Sequence, residues 1–232
     1  MSSLSTNAAT PLYKGVFFDL DGTLADTAPD LVAAANLLRT SRSLEPLAYE
    51  LLRPKASAGA RGLIEGAFGY TPDHPDFTQL RDEFLSNYEK AICVESKLFE
   101  GMDELLRELE QNQVIWGIVT NKFERFTFPL LASMQLDQRS KAIIGGDTTG
   151  FSKPHPAPVL KAAEINNLDP KVCLYVGDDL RDIEAGKAAG MTTVAASYGY
   201  CGCDEPIEDW GADFIIHPVS YTHLTLPTTS RV

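Results

Sequence analysis

A chain of 232 residues that is 44% hydrophobic can bury a sizeable core, and its length suits one domain carrying a lobe, or two small domains. The formal charge of -12 argues against nucleic acid or an anionic membrane surface as the main partner, so a phosphate-bearing ligand would need local cations. No run of about 18 apolar residues appears, and "MSSLSTNAAT" lacks the basic region and apolar core of a secretion signal; the expectation is a cytoplasmic protein with no membrane contact.

Residues 1–13 read as a disordered N-terminus. The stretch "VFFDLDGTLADT" (residues 16–27) then places Asp19 and Asp21 directly behind an apolar run with the look of a buried strand. Two carboxylates so close repel unless a cation or a shifted proton relieves them, so the pair signals a metal or catalytic site, in competition with a plain Asp-Gly turn. A calcium loop of the EF-hand kind fails on register, because Phe17 and Phe18 stand where ligands would be needed. Residues 28–97 carry no strand-like run and read as helices: "TAPDLVAAANLLRT" with a Thr27-x-x-Asp30 capping start, then "GARGLIEGAFG", then "FTQLRDEFLSNYEKAI". A helical insertion therefore follows the first strand, with hinges expected near Asp26 to Pro29 and Ser96 to Gly101.

Beyond the insertion, strand-like runs alternate with helical ones. "VIWGIVT", "AIIGG", "VCLYVGDD", "TTVAAS" and "ADFII" read as strands; Met102, Leu105, Leu106 and Leu109 mark one helix face, and Gly190 is a helix stop. This alternation predicts an α/β fold with a Rossmann-like parallel sheet covered by helices on both faces. Residues 14–27 and 98–218 would form that core. Cys93 and Cys173 read as small buried hydrophobes, and Cys201 with Cys203 has no second pair to complete a metal site. Residues 219–232 show no helix or strand period, look non-native, and are set aside.

Ligands of open parallel sheets bind beyond the carboxyl ends of the strands. Polar groups gather at those ends here: Asp19 with Asp21, then Thr120, Asn121 and Lys122, then Lys153 in "GFSKPHPAP", then Asp178, Asp179 and Asp182. Taken singly, each has a plain structural reading: a capping hydroxyl, a solvated lysine, a helix N-terminal charge. Their joint order is what carries information.

That order resembles the haloacid dehalogenase superfamily of phosphohydrolases, over residues 14–218. "DLDGTLADTAPDL", "GIVTNK", "SKPHPAP", "YVGDDLRDIEAGKAAGM" and "YGY" are most similar to the bacterial phosphoglycolate phosphatase group, which includes the related N-acetylmuramic acid 6-phosphate phosphatases. The resemblance implies that the helical insertion is a cap, and that a phosphomonoester is hydrolysed through an aspartyl-phosphate. Asp19 would be the nucleophile and Asp21 the general acid and base. Mg²⁺ would be held by Asp19, the Asp21 main-chain carbonyl and Asp178. Thr120, the Asn121 backbone amide and Lys153 would bind the transferring oxygens, with Asp182 orienting Lys153 or a metal-bound water and Asp179 in either the inner or the outer sphere.

The expected partner is a small phosphorylated metabolite, 2-phosphoglycolate first and N-acetylmuramic acid 6-phosphate as the alternative, on a monomer or homodimer. A sugar phosphomutase shares the motifs, whereas a non-catalytic phosphometabolite-binding module would be expected to lose one of the two aspartates. Arg61, in the small-residue cap stretch "ASAGARGLIEG", is expected to read the substrate carboxylate.

Overall fold

The computed structural model of the protein describes residues 12–202 and 205–217, so the extreme N-terminus, Cys203 and residues 219–232 lie outside it. The chain enters through β1 (Gly15–Phe18), which is buried along its whole length. A short strand, β2 (Ala25–Asp26), leads into α1 (Ala28–Thr40), α2 (Tyr49–Leu52), a 3-10 turn (Arg53–Ala58), α3 (Gly59–Phe68) and α4 (Phe77–Lys90). The chain returns through β3 (Lys97–Leu98) and then alternates: α5 (Met102–Gln111), β4 (Ile115–Val119), α6 (Glu124–Ser133), β5 (Ile143–Ile144), α7 (Ala157–Ile165). It closes with β6 (Cys173–Gly177), α8 (Leu180–Ala188), β7 (Thr192–Ala196) and β8 (Phe214–Ile216).

The sheet has six strands in the order β5-β4-β1-β6-β7-β8, all paired in parallel. This is the Rossmann-like fold expected from the alternating pattern. The chain moves outward from β1 through β4 to β5, then crosses back to β6, so the order reverses beside β1. A crevice opens at such a reversal. Period-two alternation splits β1 between the two faces. Val16 and Phe18 pack with Leu105, Leu106 and Leu109 of α5 and Leu130 and Leu131 of α6, while Phe17 packs with Val159 and Ala162 of α7 and Ala185 of α8.

The inserted helices have a core of their own. Leu31, Leu38, Leu52, Leu63, Ile64, Leu80, Phe84 and Tyr88 form it, and Phe126 and Tyr200 cover it from the sheet side. The two chain crossings are not separate hinges, because β2 and β3 pair antiparallel with Ala25 opposite Leu98 and Asp26 opposite Lys97. Two residues per strand are too few to show alternation, which is why this ribbon leaves no pattern in the sequence.

The expected Thr27–Asp30 capping start is corrected. Thr27 occupies the N-cap position of α1 without a side-chain cap bond, since its hydroxyl donates to Asp21 instead. Asp30 turns to the other crossing, where its carboxylate accepts from the amides of Val94, Glu95 and Ser96. Cys173 is buried as expected, whereas Cys93 is only partly so.

Candidate active site

The carboxyl ends of β1, β4 and β6 bring the polar groups together. Asp19 follows β1, and its amide donates to the Val176 carbonyl at 2.8 Å, which fixes its backbone beside β6. Lys153 reaches in from the loop before α7 and is 5% exposed. Its ammonium lies 2.7 Å from Asp19 Oδ1, 2.6 Å from Asp182 Oδ1 and 3.0 Å from the Val119 carbonyl. Burial opposes the charge on Lys153, but Asp182 and Asp19 outweigh it and hold the ammonium well above its usual range.

Asn121 explains how the loop keeps Lys153 in place. Its side-chain amide donates to the Lys153 carbonyl at 3.0 Å and accepts from the Lys153 amide at 2.8 Å. Tyr175, inside β6, donates to the Val119 carbonyl at 2.9 Å and stands 3.3 Å from Asp182. An aromatic inside a buried strand carries no sequence signal of such a role. Thr120 is buried, lines the crevice, and accepts from the Lys122 amide at 3.1 Å.

Asp178 sits one layer deeper. Thr23 Oγ1 donates to its Oδ1 at 2.7 Å and the Tyr200 amide to its Oδ2 at 2.7 Å. Gly22, at φ +89°, and Gly199 press so closely on this carboxylate that a Cβ on either would collide with it. Oxygens of Asp19, Asp178 and Asp182 all lie within 4.8 Å of one another, and all three residues are buried. Burial, then the neighbouring Asp19 and Asp182 charges, push the Asp178 carboxyl well above its usual range. Burial likewise lifts Asp182 to about 7 against the pull of Lys153. Three buried carboxylates thus face one ammonium, a charge excess and a donor set of hard oxygens that fit a divalent cation such as Mg²⁺.

Asp21 and Asp179 stand outside that cluster. Asp21 Oδ1 accepts from Lys122 Nζ at 2.9 Å and from Thr27 Oγ1. Asp179 caps α8: its side chain accepts from the Arg181 amide at 3.0 Å, and Asp182 accepts from the Asp179 amide at 3.2 Å, a reciprocal capping box. The same carboxylate accepts from Ser57 Oγ at 2.6 Å and from the Arg181 guanidinium at 2.7 Å. Although burial works the other way, Arg181 and Ser57 pull the Asp179 carboxyl down to about 2. Asp179 is therefore committed to tying the 3-10 turn of the inserted helices to the sheet, and Arg181 reinforces the tie by donating to the Ser57 carbonyl at 2.9 Å.

Between the inserted helices and the strand ends lies a cavity of about 300 Å³. Asp19, Asp21, Thr120, Lys153 and Asp182 form its polar floor, while Leu31, Phe84, Leu85, Phe123 and Phe126 form an apolar wall. Arg81 and Arg181 stand at its side. Arg61 does not line it, contrary to expectation. Leu63, Ile64 and Ala67 turn their face of α3 into the helical core, which leaves Arg61 exposed on the face it shares with Glu65, and only Gly59 and Ala60 of α3 reach the cavity.

The family model for haloacid dehalogenase-like hydrolases matches residues 16–196. The chain is 44% identical over 207 residues to an N-acetylmuramic acid 6-phosphate phosphatase of Pseudomonas putida, covering 89% of this chain and 93% of that one. It is 43% identical over 204 residues to a phosphoglycolate phosphatase of Xanthomonas campestris pv. campestris, covering 88% and 91%. A crystal structure of a predicted phosphoglycolate phosphatase from Haemophilus somnus superposes with a TM-score of 0.77 at 30% identity, over 88% of this chain and 93% of that one. The chain belongs to the haloacid dehalogenase-like hydrolase family and is a phosphatase of its phosphoglycolate phosphatase-like group.

Proposed function

We propose that the protein is a Mg²⁺-dependent phosphomonoesterase whose substrate is a bulky sugar-acid phosphate of the N-acetylmuramic acid 6-phosphate kind. The observation that carries this is the cavity: about 300 Å³ with an apolar wall of Leu31, Phe84, Leu85 and Phe126 offers far more surface than a two-carbon acid would cover. An acetamido methyl and a lactyl methyl would use it. The relatives of 44% and 42% identity that carry the N-acetylmuramic acid 6-phosphate phosphatase name support the same reading. The second reading is 2-phosphoglycolate, favoured by the relative of 43% identity and by the two guanidinium groups, Arg81 and Arg181, that a small carboxylate would meet at the cavity side.

Asp19 attacks phosphorus, forming an O–P bond as the P–O bond to the sugar breaks. Asp21 gives its proton to the departing alkoxide, then takes a proton from the water that attacks the aspartyl-phosphate, and inorganic phosphate leaves. Lys153 and Thr120 donate to the transferring oxygens, and Asn121 keeps Lys153 there by clamping its backbone. Asp182 shares the Lys153 ammonium with Asp19 and so aligns it. Mg²⁺ would be held by Asp19, Asp178 and Asp182, with the Asp21 main-chain carbonyl as a further oxygen, and would offset the repulsion between the phosphate and these carboxylates.

The test is kcat/KM of the purified protein with Mg²⁺ on N-acetylmuramic acid 6-phosphate, 2-phosphoglycolate and glucose 6-phosphate. At least about tenfold preference for the first is expected, from the apolar contacts the smaller acid cannot make. A preference for 2-phosphoglycolate would install the second reading.

A further inference from the structure

Lys122 directly follows the Thr120-Asn121 pair, yet it does not touch the acidic cluster. Its side chain is 8% exposed: Nζ donates to Asp21 Oδ1 at 2.9 Å and lies 4.8 Å from the centroid of the Tyr88 ring. Tyr88 comes from α4 of the inserted helices and is buried, with the Lys122 ammonium as the charged group beside it. The ammonium lies over the ring at a cation–π distance.

Asp21 Oδ1 is doubly engaged, by Lys122 and by Thr27 Oγ1, and no hydrogen bond among the described residues reaches Oδ2. A carboxylate held through one oxygen cannot spin, and the other oxygen is left to exchange a proton in the cavity. A general acid contributes only when its proton lies on the line to the leaving oxygen. Thr27 stands at the start of α1, and Lys122 is covered by Tyr88 of α4.

We propose that Lys122 is a positioning residue: covered by the Tyr88 ring, it holds Oδ1 of Asp21 so that Oδ2 meets the leaving oxygen. The role rests on the reading of Asp21 as the acid and base.

The experiment compares Lys122→Met, Tyr88→Leu, Asp21→Asn and the double variant Asp21→Asn/Lys122→Met. On the better hydrolysed of N-acetylmuramic acid 6-phosphate and 2-phosphoglycolate, Lys122→Met should lower kcat about 100-fold, the scale of a lost acid–base catalyst, with KM moving less than about threefold. On 4-nitrophenyl phosphate, whose leaving group needs no proton, the rapid first release of nitrophenolate should persist while steady turnover slows, because Asp21 must still activate water. Tyr88→Leu should show the same split at about tenfold. In the Asp21→Asn background Lys122→Met should change either rate by less than about twofold, since the lysine acts through that carboxylate.

Each variant is read only if its melting temperature stays within a few degrees of the parent, and Tyr88→Leu, which removes no charge, decides the matter if Lys122→Met does not fold. Parental kcat in the folded variant, equal loss of the rapid phase and of turnover, or full additivity with Asp21→Asn overturns the positioning role. Parental turnover in Asp21→Asn itself would instead overturn the acid–base reading, so the two failures are distinct.

Discussion

Asp30 and Ser96 close the two chain crossings on each other: Asp30 Oδ2 accepts from the Ser96 amide at 2.9 Å and from the Ser96 hydroxyl at 2.6 Å. The amides of Val94, at 2.9 Å, and Glu95, at 3.0 Å, complete the nest around the same carboxylate. One buried aspartate at the start of α1 thus ties down the segment that leads back into β3, and the inserted helices leave and rejoin the core as a single joint. Removing the carboxylate takes the charged acceptor from these amides, which belong to exposed Val94 and Glu95 and half-buried Ser96. Asp30→Ala is expected to cost about 2 kcal/mol, the scale of lost hydrogen bonds to a charged group, read as a lower urea midpoint at an unchanged m-value. A midpoint equal to the parent's would show that water or a backbone shift satisfies those amides.

Asp19→Asn keeps the shape of the side chain and removes its nucleophilicity. Turnover should fall at least about a thousandfold, on the order of 4 kcal/mol of barrier, while the fold survives. Far-ultraviolet circular dichroism and steady-state assays check the two halves separately. Retention of a tenth of parental turnover would exclude an aspartyl-phosphate on this residue.

Chelation should silence the enzyme and Mg²⁺ should restore it, while Ca²⁺, with its larger and looser shell, should inhibit. A cation held by Asp19, Asp178 and Asp182 would offset their repulsion and so should also stabilise the fold, by about 2.7 kcal/mol at a hundred times its Kd. A thermal melt with and without Mg²⁺ reads this without any substrate. Asp178→Asn should abolish the shift, and a full shift in that variant would place the cation elsewhere.

The two cap arginines should behave differently. Arg81 lines the cavity and pairs with its exposed neighbour Asp82 at 2.9 Å, whereas Arg61 faces solvent on α3. Arg81→Ala is expected to lower kcat/KM for the preferred acid about tenfold, through KM, and Arg61→Ala by less than twofold. The reverse ranking would mean that α3 turns toward the substrate during turnover.

The six sheet strands were legible because each is a continuous apolar run ended by polar residues, the pattern that burial on both faces demands. Asp19, Thr120 and Asp178 were legible because they stand at the ends of such runs, where an open sheet binds its ligands, and Lys153, in the loop before α7, because of its place in the joint order of the polar groups. The β2–β3 ribbon, the Asp30 nest and the Lys122–Tyr88 contact were not, since they join residues far apart in the chain that no local spacing relates. Arg61 was misplaced for a related reason. Its direction follows from which face of α3 buries Leu63 and Ile64, and small residues around it say nothing about that face.

The sequence by itself determined the alternating architecture, the helical insertion after β1 and the set of charged groups at the strand ends, because hydrophobic periodicity and chain order are local properties of the chain. Only the tertiary structure decided how the two aspartates of "DLDGT" divide: Asp19 joins the buried acidic cluster, and Asp21 turns to Lys122 and Thr27. It also decided that Asp179 caps α8 and binds Ser57, and that Asp182 joins the cluster. These outcomes depend on which cation or amide each carboxylate meets across the crevice, and that is fixed by the docking of the helices on the sheet, a long-range packing result that no local spacing encodes.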